Sequence, residues 1–141
     1  ITYYFHKQIK LLQKEIAAYP NEESLWKKAK GINNSAGNLC THLIGNLNHF
    51  IGHAIGNTGY VRNRPLEFSI QDVPCEELIK QLDEAAEMIE NALKTVDDWS
   101  APYPEEMFGK PGSVHYFMLQ LLTHFDYHRG QVNYHRRLLA S

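Results

Sequence analysis

The chain has 141 residues, of which 43% are apolar and 21% are charged, and its formal net charge is −2. This length fits one compact domain, and the composition is that of a folded chain rather than a disordered one. The charge balance offers no basic surface for nucleic acid or for an anionic membrane, and no apolar run reaches the roughly 18–20 residues that span a bilayer. Two cysteines, Cys40 and Cys75, are too few for a disulfide scaffold and too far apart for a Cys-x-x-Cys pair. Since no targeting pattern is present either, we expect a cytoplasmic protein.

Four long helices are predicted from apolar residues that recur three and four positions apart. They run over about residues 2–19, 36–57, 74–99 and 114–139. Asp72, just before Pro74, is typical of a helix start, and Ser113 is the expected cap of the last helix. Residues 23–28 are expected to form a short helical turn. No segment has the alternation of a strand, so the predicted fold class is all-α.

Four helices in 141 residues predict a four-helix bundle that forms a single domain over residues 1–141. The connection 59–73 is about 15 residues long, and at roughly 3.3 Å per residue it is able to run the length of the bundle. The third helix is therefore free to run parallel to the second. Arg62 and Arg64, which lie in this connection, are interpreted as loop charges rather than as groups that clamp a substrate.

Three glycines lie inside the second predicted helix, at Gly45, Gly52 and Gly56. Each costs roughly 0.5–1 kcal/mol relative to alanine in a helix interior. They share the face opposite the apolar stripe, so we expect another backbone to approach closely there. That backbone belongs either to a helix of the same fold or to a second subunit.

The count of eight histidines is the unusual feature of the composition, and two of them stand four residues apart on the fourth helix. His124 and His128 project from one helix face, which also contains Phe117 and Leu121, and this predicts that the pair points into the bundle. Two interior imidazoles at this spacing are able to bind one metal ion. His6, His115 and His135 are expected to pack or to lie near the surface without an ion.

A second polar stripe is predicted on the second helix. At about 100° per residue, His42, Asn46, His49 and His53 fall within one narrow sector. One of these histidines is expected to complete a three-histidine site with the pair on the fourth helix. Three protein ligands leave a position open for water or substrate, as in catalytic rather than structural metal sites.

Two stretches carry a resemblance to a known family. Residues 123–131 read Thr-His-Phe-Asp-Tyr-His-Arg-Gly-Gln and contain the pattern His-x-x-x-His-Arg-Gly-Gln. This resembles the end of the fourth helix in the DinB-like superfamily, and residues 38–47 more weakly resemble its second-helix signature. Helix lengths and order are similar over essentially the whole chain.

The resemblance implies an up-down-down-up four-helix bundle that holds a divalent ion on His42, His124 and His128, with His49 as the alternative ligand from the second helix. Zinc, nickel and iron all suit imidazole ligands, which do not choose between them. The resemblance also implies a homodimer. Some relatives are transferases or isomerases that use a low-molecular-weight thiol.

Taken together, these features predict a metal-dependent transferase or hydrolase that acts on a small molecule. Gln131 is a candidate contact either to a ligating histidine, whose tautomer it would fix, or to a substrate or cofactor, and Asn46 is expected to point into the same cavity. Arg129 is expected to be solvated or to join two helices. No Glu or Asp is an obvious general base, and the His-Glu-x-x-His helix of zinc proteases is absent. Two alternatives stay open: a non-enzymatic metal-binding or stress-response protein braced by the ion, and an interaction module whose histidines bind no ion.

Overall fold

A computed structural model of the protein describes residues 1–107 and 109–140. Within these ranges the chain is helical and forms no β-strand, so the all-α prediction is confirmed. In chain order the helices are α1 (Thr2–Ala17), α2 (Glu22–Leu25), α3 (Ala36–Leu47), α4 (Arg64–Ser69), α5 (Cys75–Leu93) and α6 (Val114–Leu139), and a π-helical segment (Asn48–His53) continues α3. None of the helices in the described ranges is both long and apolar enough to cross a membrane.

The predicted long helices correspond to α1, to α3 with its π-helical continuation, to α5 and to α6. The bounds of α6 agree with the prediction, and the short turn predicted after the first helix is α2. Two predictions were wrong. The helix α5 ends at Leu93 rather than near residue 99, and the connection predicted over 59–73 contains α4.

Capping explains where the last two long helices begin. The Ser113 hydroxyl accepts a hydrogen bond from the Tyr116 N–H at 3.1 Å, which confirms the predicted cap of α6. The predicted start signal at Asp72 was wrong, because this residue has a positive φ of 61° and caps nothing in α5. Instead, the Glu22 carboxylate accepts from the first N–H of α5, that of Cys75, at 2.9 Å. A long-range carboxylate thus satisfies an N–H group that a local side chain was expected to satisfy.

The apolar stripe of α1 lies at the centre of the core. Phe5, Ile9, Leu12 and Ile16 are each at most 1% exposed, as the periodicity predicts. The helix packs against α5 and α6, while α3 packs against α4, α5 and α6. Every long helix therefore contributes one buried face to a shared core.

Polar contacts between α1 and α6 give the relative direction of these two helices. Gln8 accepts from Arg129 at 2.9 Å, and seven positions further along both helices Glu15 accepts from Arg136 at 3.0 Å. The first of these contacts confirms that Arg129 joins two helices. Along α1 and α5 the residue numbers run in opposite directions, because His6 contacts Ala86 whereas Gln13 contacts Ile79.

The three glycines of the second predicted helix all face parts of the same chain. A Cβ at Gly52 would lie 3.1 Å from the Met88 sulfur, and a Cβ at Gly56 would lie 2.9 Å from the Cβ of Ala92. At Gly45 a Cβ would overlap the Glu67 carboxylate. The close approach is therefore made within the fold, and this face is not free for a second subunit.

The π-helical segment alters the rotation of the second long helix. The N–H of Ala54 bonds to the carbonyl of His49 at 3.0 Å, and that of Gly56 bonds to Ile51 at 2.9 Å, each spanning five residues instead of four. A π-helical turn takes more residues than an α-helical one, so it rotates the side chains that follow relative to a regular projection. Side chains on either side of residue 48 do not continue one stripe.

Candidate metal centre

Three histidines from two helices converge at one point. His42 comes from α3, and His124 and His128 come from adjacent turns of α6. One ring nitrogen of each lies within 4.8 Å of the others, and the Nε2 atoms of His42 and His124 are 3.2 Å apart. The structure thus brings together the three residues that were predicted to share an ion. Their arrangement is one that could hold a metal ion.

Two of these histidines donate a hydrogen bond from their other ring nitrogen to an oxygen atom. His42 Nδ1 donates to the Glu67 carboxylate at 3.0 Å, and His128 Nδ1 donates to the Gln131 side-chain oxygen at 2.7 Å. A proton on Nδ1 leaves Nε2 with a free lone pair in the neutral ring. Oxygen acceptors of this kind hold metal-binding imidazoles in one tautomer and one orientation. Gln131 therefore contacts a candidate ligand, which is one of the two roles predicted for it.

His124 is held less completely. Its Nδ1 is buried and has no hydrogen-bond partner among residues 1–107 and 109–140. Its Nε2 faces the Nε2 of His42, a pair of nitrogens that either share one proton or accept a common cation. A cation between them suits the donor set better, because His42 and His128 already present free lone pairs. The residues present therefore fit a divalent ion with nitrogen ligands.

The local pKa values favour the neutral imidazoles that a metal needs. Burial, together with the neighbouring His128 and His42, lowers the pKa of His124 from 6.5 to about 4. Burial also lowers the pKa of His128, and the hydrogen bond that this ring donates to Gln131 opposes the change only in part. Both rings are thus unprotonated at neutral pH, and no proton has to be displaced before an ion binds.

Glu67 is the site residue that sequence reasoning missed. Its side chain is 6% exposed, and its two oxygens accept hydrogen bonds from Arg62 at 2.8 and 2.9 Å as well as from His42. Burial raises the pKa of Glu67, but the hydrogen bonds from His42 and Arg62 outweigh this effect and place the pKa below its ordinary value. The residue is therefore a buried carboxylate ion whose charge Arg62 balances.

The short helix α4 positions this carboxylate. It begins at an Asn63 cap, whose side chain accepts from the N–H of Leu66, and it has Pro65 in its first turn. The Thr41 hydroxyl of α3 donates to the carbonyl of Glu67, which ties the two helices together. In the sequence, an Asn followed two residues later by Pro is the feature that indicates the start of α4. Burial of its glutamate depends on docking to α3, which no local pattern records.

A cavity of about 250 Å³ opens beside the imidazoles of His42 and His124. Asn46, one of the two predicted contact residues, lines it, whereas Gln131 lies instead against His128. Arg62 and Arg64, which were interpreted as loop charges, also line this cavity. They do so because α4 docks against α3.

The remaining histidines of the second predicted helix do not reach the centre. His49 Nε2 donates to the Glu105 carboxylate at 3.0 Å, and its ring stacks on that of His53 at 5.4 Å. The predicted stripe therefore does not line one site, because His49 lies about two helical turns beyond His42 and His53 lies further still. This removes His49 as the alternative to His42 in the described cluster. His135 bonds to the Tyr19 hydroxyl at 2.7 Å, so it packs in the core as expected.

A helical bundle whose α3 and α6 bring three imidazoles together beside a cavity is a candidate metal-binding protein. A family model described as "Protein of unknown function (DUF1572)" matches residues 2–141, and the chain therefore belongs to that family. A search of curated proteins found no match.

Proposed function

We propose that this protein binds one divalent ion through His42, His124 and His128 and uses it to catalyse a reaction of a small molecule. The reaction is either the transfer of a group to or from a thiol or a hydrolysis. The observation that carries this proposal is the convergence of three imidazoles, two of which, His42 and His124, line a cavity. Three protein ligands leave a coordination position of the ion open, and a substrate in the cavity is able to occupy it.

The chain's own residues prepare the site. Glu67 keeps His42 in the tautomer with a free Nε2, and Gln131 does the same for His128. Arg62 balances the charge of Glu67, so the carboxylate stays ionised although it is buried. The bound ion supplies Lewis acidity, which lowers the pKa of a water or a thiol and yields a nucleophile near neutral pH. A role of the ion as a structural brace is the rival, but a brace needs no cavity beside it.

The fold proposed with this function is the up-down-down-up four-helix bundle of the DinB-like superfamily. Three sets of contacts support it. Successive contacts between α1 and α6 join residues whose numbers rise along both helices. Contacts between α1 and α5 join rising numbers in α1 to falling numbers in α5. Contacts between the end of the second long helix and α5 again join numbers that rise along both. The histidine pattern of α6 also supports membership in this superfamily.

A metal analysis tests the binding step. Untagged protein is expected to contain about one equivalent of divalent metal after incubation with zinc and removal of excess. His124→Ala and His128→Ala should each lose most of it, since two imidazoles alone bind far more weakly. His115→Ala is the matched control, because His115 lies exposed on the same helix. Metal content that is the same in all four proteins would contradict the proposal.

Catalysis needs a separate assay. Metal-loaded protein is mixed with a set of low-molecular-weight thiols and electrophilic acceptors, and in parallel with simple esters and amides. We expect turnover that a chelator abolishes and added metal restores. If the loaded protein turns over neither group of substrates, the ion is a brace and the enzymatic part of the proposal fails.

We also propose that the protein forms a homodimer through α6. Its solvent face carries a row of large side chains over about six turns that includes Tyr116, Leu119, Tyr127, Tyr134 and Leu138, all between 44% and 70% exposed. Tyr127 lies midway along the row. A two-fold axis at this residue would place each apolar group of one copy against one of the other, which is the self-complementarity that isologous dimers require.

A further inference from the structure

Arg64 places a positive charge in the cavity that no carboxylate of the described chain pairs with. Its guanidinium carbon lies 5.2 Å from the centre of the Phe68 ring, and that ring lies 4.7 Å from the imidazole of His42. The aromatic face therefore holds the guanidinium beside the candidate metal centre. The other arginine of the cavity, Arg62, already uses two of its N–H groups on Glu67. Arg64 is thus the cation that remains for a ligand.

Asn46 provides a second polar group without a partner on the wall of the cavity. Its side chain is only 7% exposed, yet its Oδ1 is buried without a hydrogen-bond partner in the part of the chain that the structure describes. A buried amide oxygen without a partner costs free energy, and native proteins rarely leave one so. Because Asn46 lines the cavity, a rotation of its amide group would present this oxygen to an N–H or O–H donor of a ligand there.

The cavity also limits the size and charge of what it accepts. Its volume of about 250 Å³ lies below the roughly 300–1,000 Å³ of sites for drug-sized ligands. Glu106 lines the same cavity and opposes a second negative charge on the ligand. A compact monoanion is therefore favoured over a dianion such as a phosphate monoester.

We propose that this cavity binds a small carboxylate that also carries an N–H or O–H donor, such as an N-acylated amino acid. Arg64 binds the carboxylate, and the Oδ1 of Asn46 accepts from the donor. That this ligand is the substrate rests on the proposed function, since it occupies the cavity beside the same three histidines. Its binding does not require the ion and is measurable without it.

The test is a titration of ¹⁵N-labelled protein, metal-free and zinc-loaded, with N-acetylglycine, acetate and inorganic phosphate. N-acetylglycine is expected to shift the side-chain resonances of Arg64 and Asn46 and to bind about three- to tenfold more tightly than acetate. Arg64→Gln should weaken N-acetylglycine binding about ten- to hundredfold. Asn46→Ala should reduce the ratio between N-acetylglycine and acetate to about one. Arg137→Gln is the matched control, because Arg137 also lies over an aromatic ring, Tyr134, but outside the cavity.

Three outcomes would overturn the inference: equal losses in Arg64→Gln and Arg137→Gln, a preference for N-acetylglycine that survives Asn46→Ala, or phosphate binding as tight as that of N-acetylglycine. Unchanged thermal unfolding of each variant shows that a lost affinity is not lost folding. The metal-free titration separates the two proposals. Carboxylate binding through Arg64 in a protein that takes up no metal leaves the inference standing and removes the proposed function. Metal uptake with no effect of Arg64→Gln does the reverse.

Discussion

Glu67 links the candidate metal centre to the charge of a neighbouring arginine. Its carboxylate accepts from His42 and from Arg62, and it is buried between them. His124 and His128 could be predicted from their spacing and from the pattern around them, whereas His42 was preferred over His49 only through the resemblance of residues 38–47. Glu67 could not be predicted, because it lies on a six-residue helix in a connection and becomes a partner of His42 only through the docking of that helix. A contact formed by docking leaves no period in the sequence.

The role of this carboxylate is testable with an isosteric change. Glu67→Gln keeps the shape but removes the charge that orients His42, so we expect zinc affinity to fall about 10–100-fold. Affinity is measured by competition with a chromophoric chelator. Glu105→Gln is the control, since Glu105 pairs with His49 outside the cluster. Equal affinities in the two variants would show that Glu67 does not support a ligand.

The buried imidazoles predict a pH dependence of stability in the metal-free protein. The pKa of His124 is about 4 in the folded protein against 6.5 for an ordinary histidine, so the unfolded chain binds more protons between these values. Stability therefore rises with pH through this window and is lost as pH falls from about 6.5 towards 4. The lowered pKa of His128 acts in the same direction.

Urea unfolding in a chelator at pH 7.0 and 5.5 measures this effect. We expect wild type to lose stability at the lower pH and His124→Gln to lose clearly less, because its side chain does not titrate. His115→Gln should behave as wild type does, since His115 is exposed. The same loss in all three proteins would assign the pH dependence to other groups.

The second long helix shows how far periodicity describes an element. A regular projection correctly placed His42 and Asn46 together, but it also added His49, which pairs with Glu105, and His53, which is exposed. The glycines of this helix were readable as points of close approach. The groups that approach these glycines could not be predicted, because they come from α4 and α5, far along the chain.

Gly45 is the glycine for which the partner matters most. Alanine is intrinsically the better helix former by about 1 kcal/mol, yet a Cβ here would overlap the Glu67 carboxylate. We expect Gly45→Ala to destabilise the protein by about 1–3 kcal/mol and to weaken zinc binding, since Glu67 must move away from His42. Gly130→Ala provides the comparison, because nothing lies within 4 Å of a Cβ at that position in α6. It should be neutral or slightly stabilising in urea unfolding. A Gly45→Ala protein as stable as Gly130→Ala would mean that the carboxylate has room to shift.

At the scale of the whole molecule, the helical class and the approximate bounds of the long helices followed from apolar spacing alone. Their mutual packing did not, since a connection of about 15 residues permits more than one arrangement. The arrangement matters for function because it brings α6 against α3 with the histidines at one level. It also leaves the opposite face of α6 in solvent, and that face carries five large apolar side chains. A helix face of this kind on a folded domain is typical of an interaction surface.

The proposed dimer makes a definite prediction about that face. A two-fold axis at Tyr127 brings this residue close to its own copy, so Tyr127→Lys would place two like charges together and separate the subunits. We expect light scattering to give about twice the chain mass for wild type and the chain mass for Tyr127→Lys. Tyr3→Lys, at a residue of α1 that is 68% exposed, should remain dimeric. Because Tyr127 stacks near His128 at 5.2 Å, zinc content is measured on the same samples to separate a lost dimer from a disturbed metal site. A monomeric wild type across the micromolar range, or a dimeric Tyr127→Lys, would assign the row to another partner.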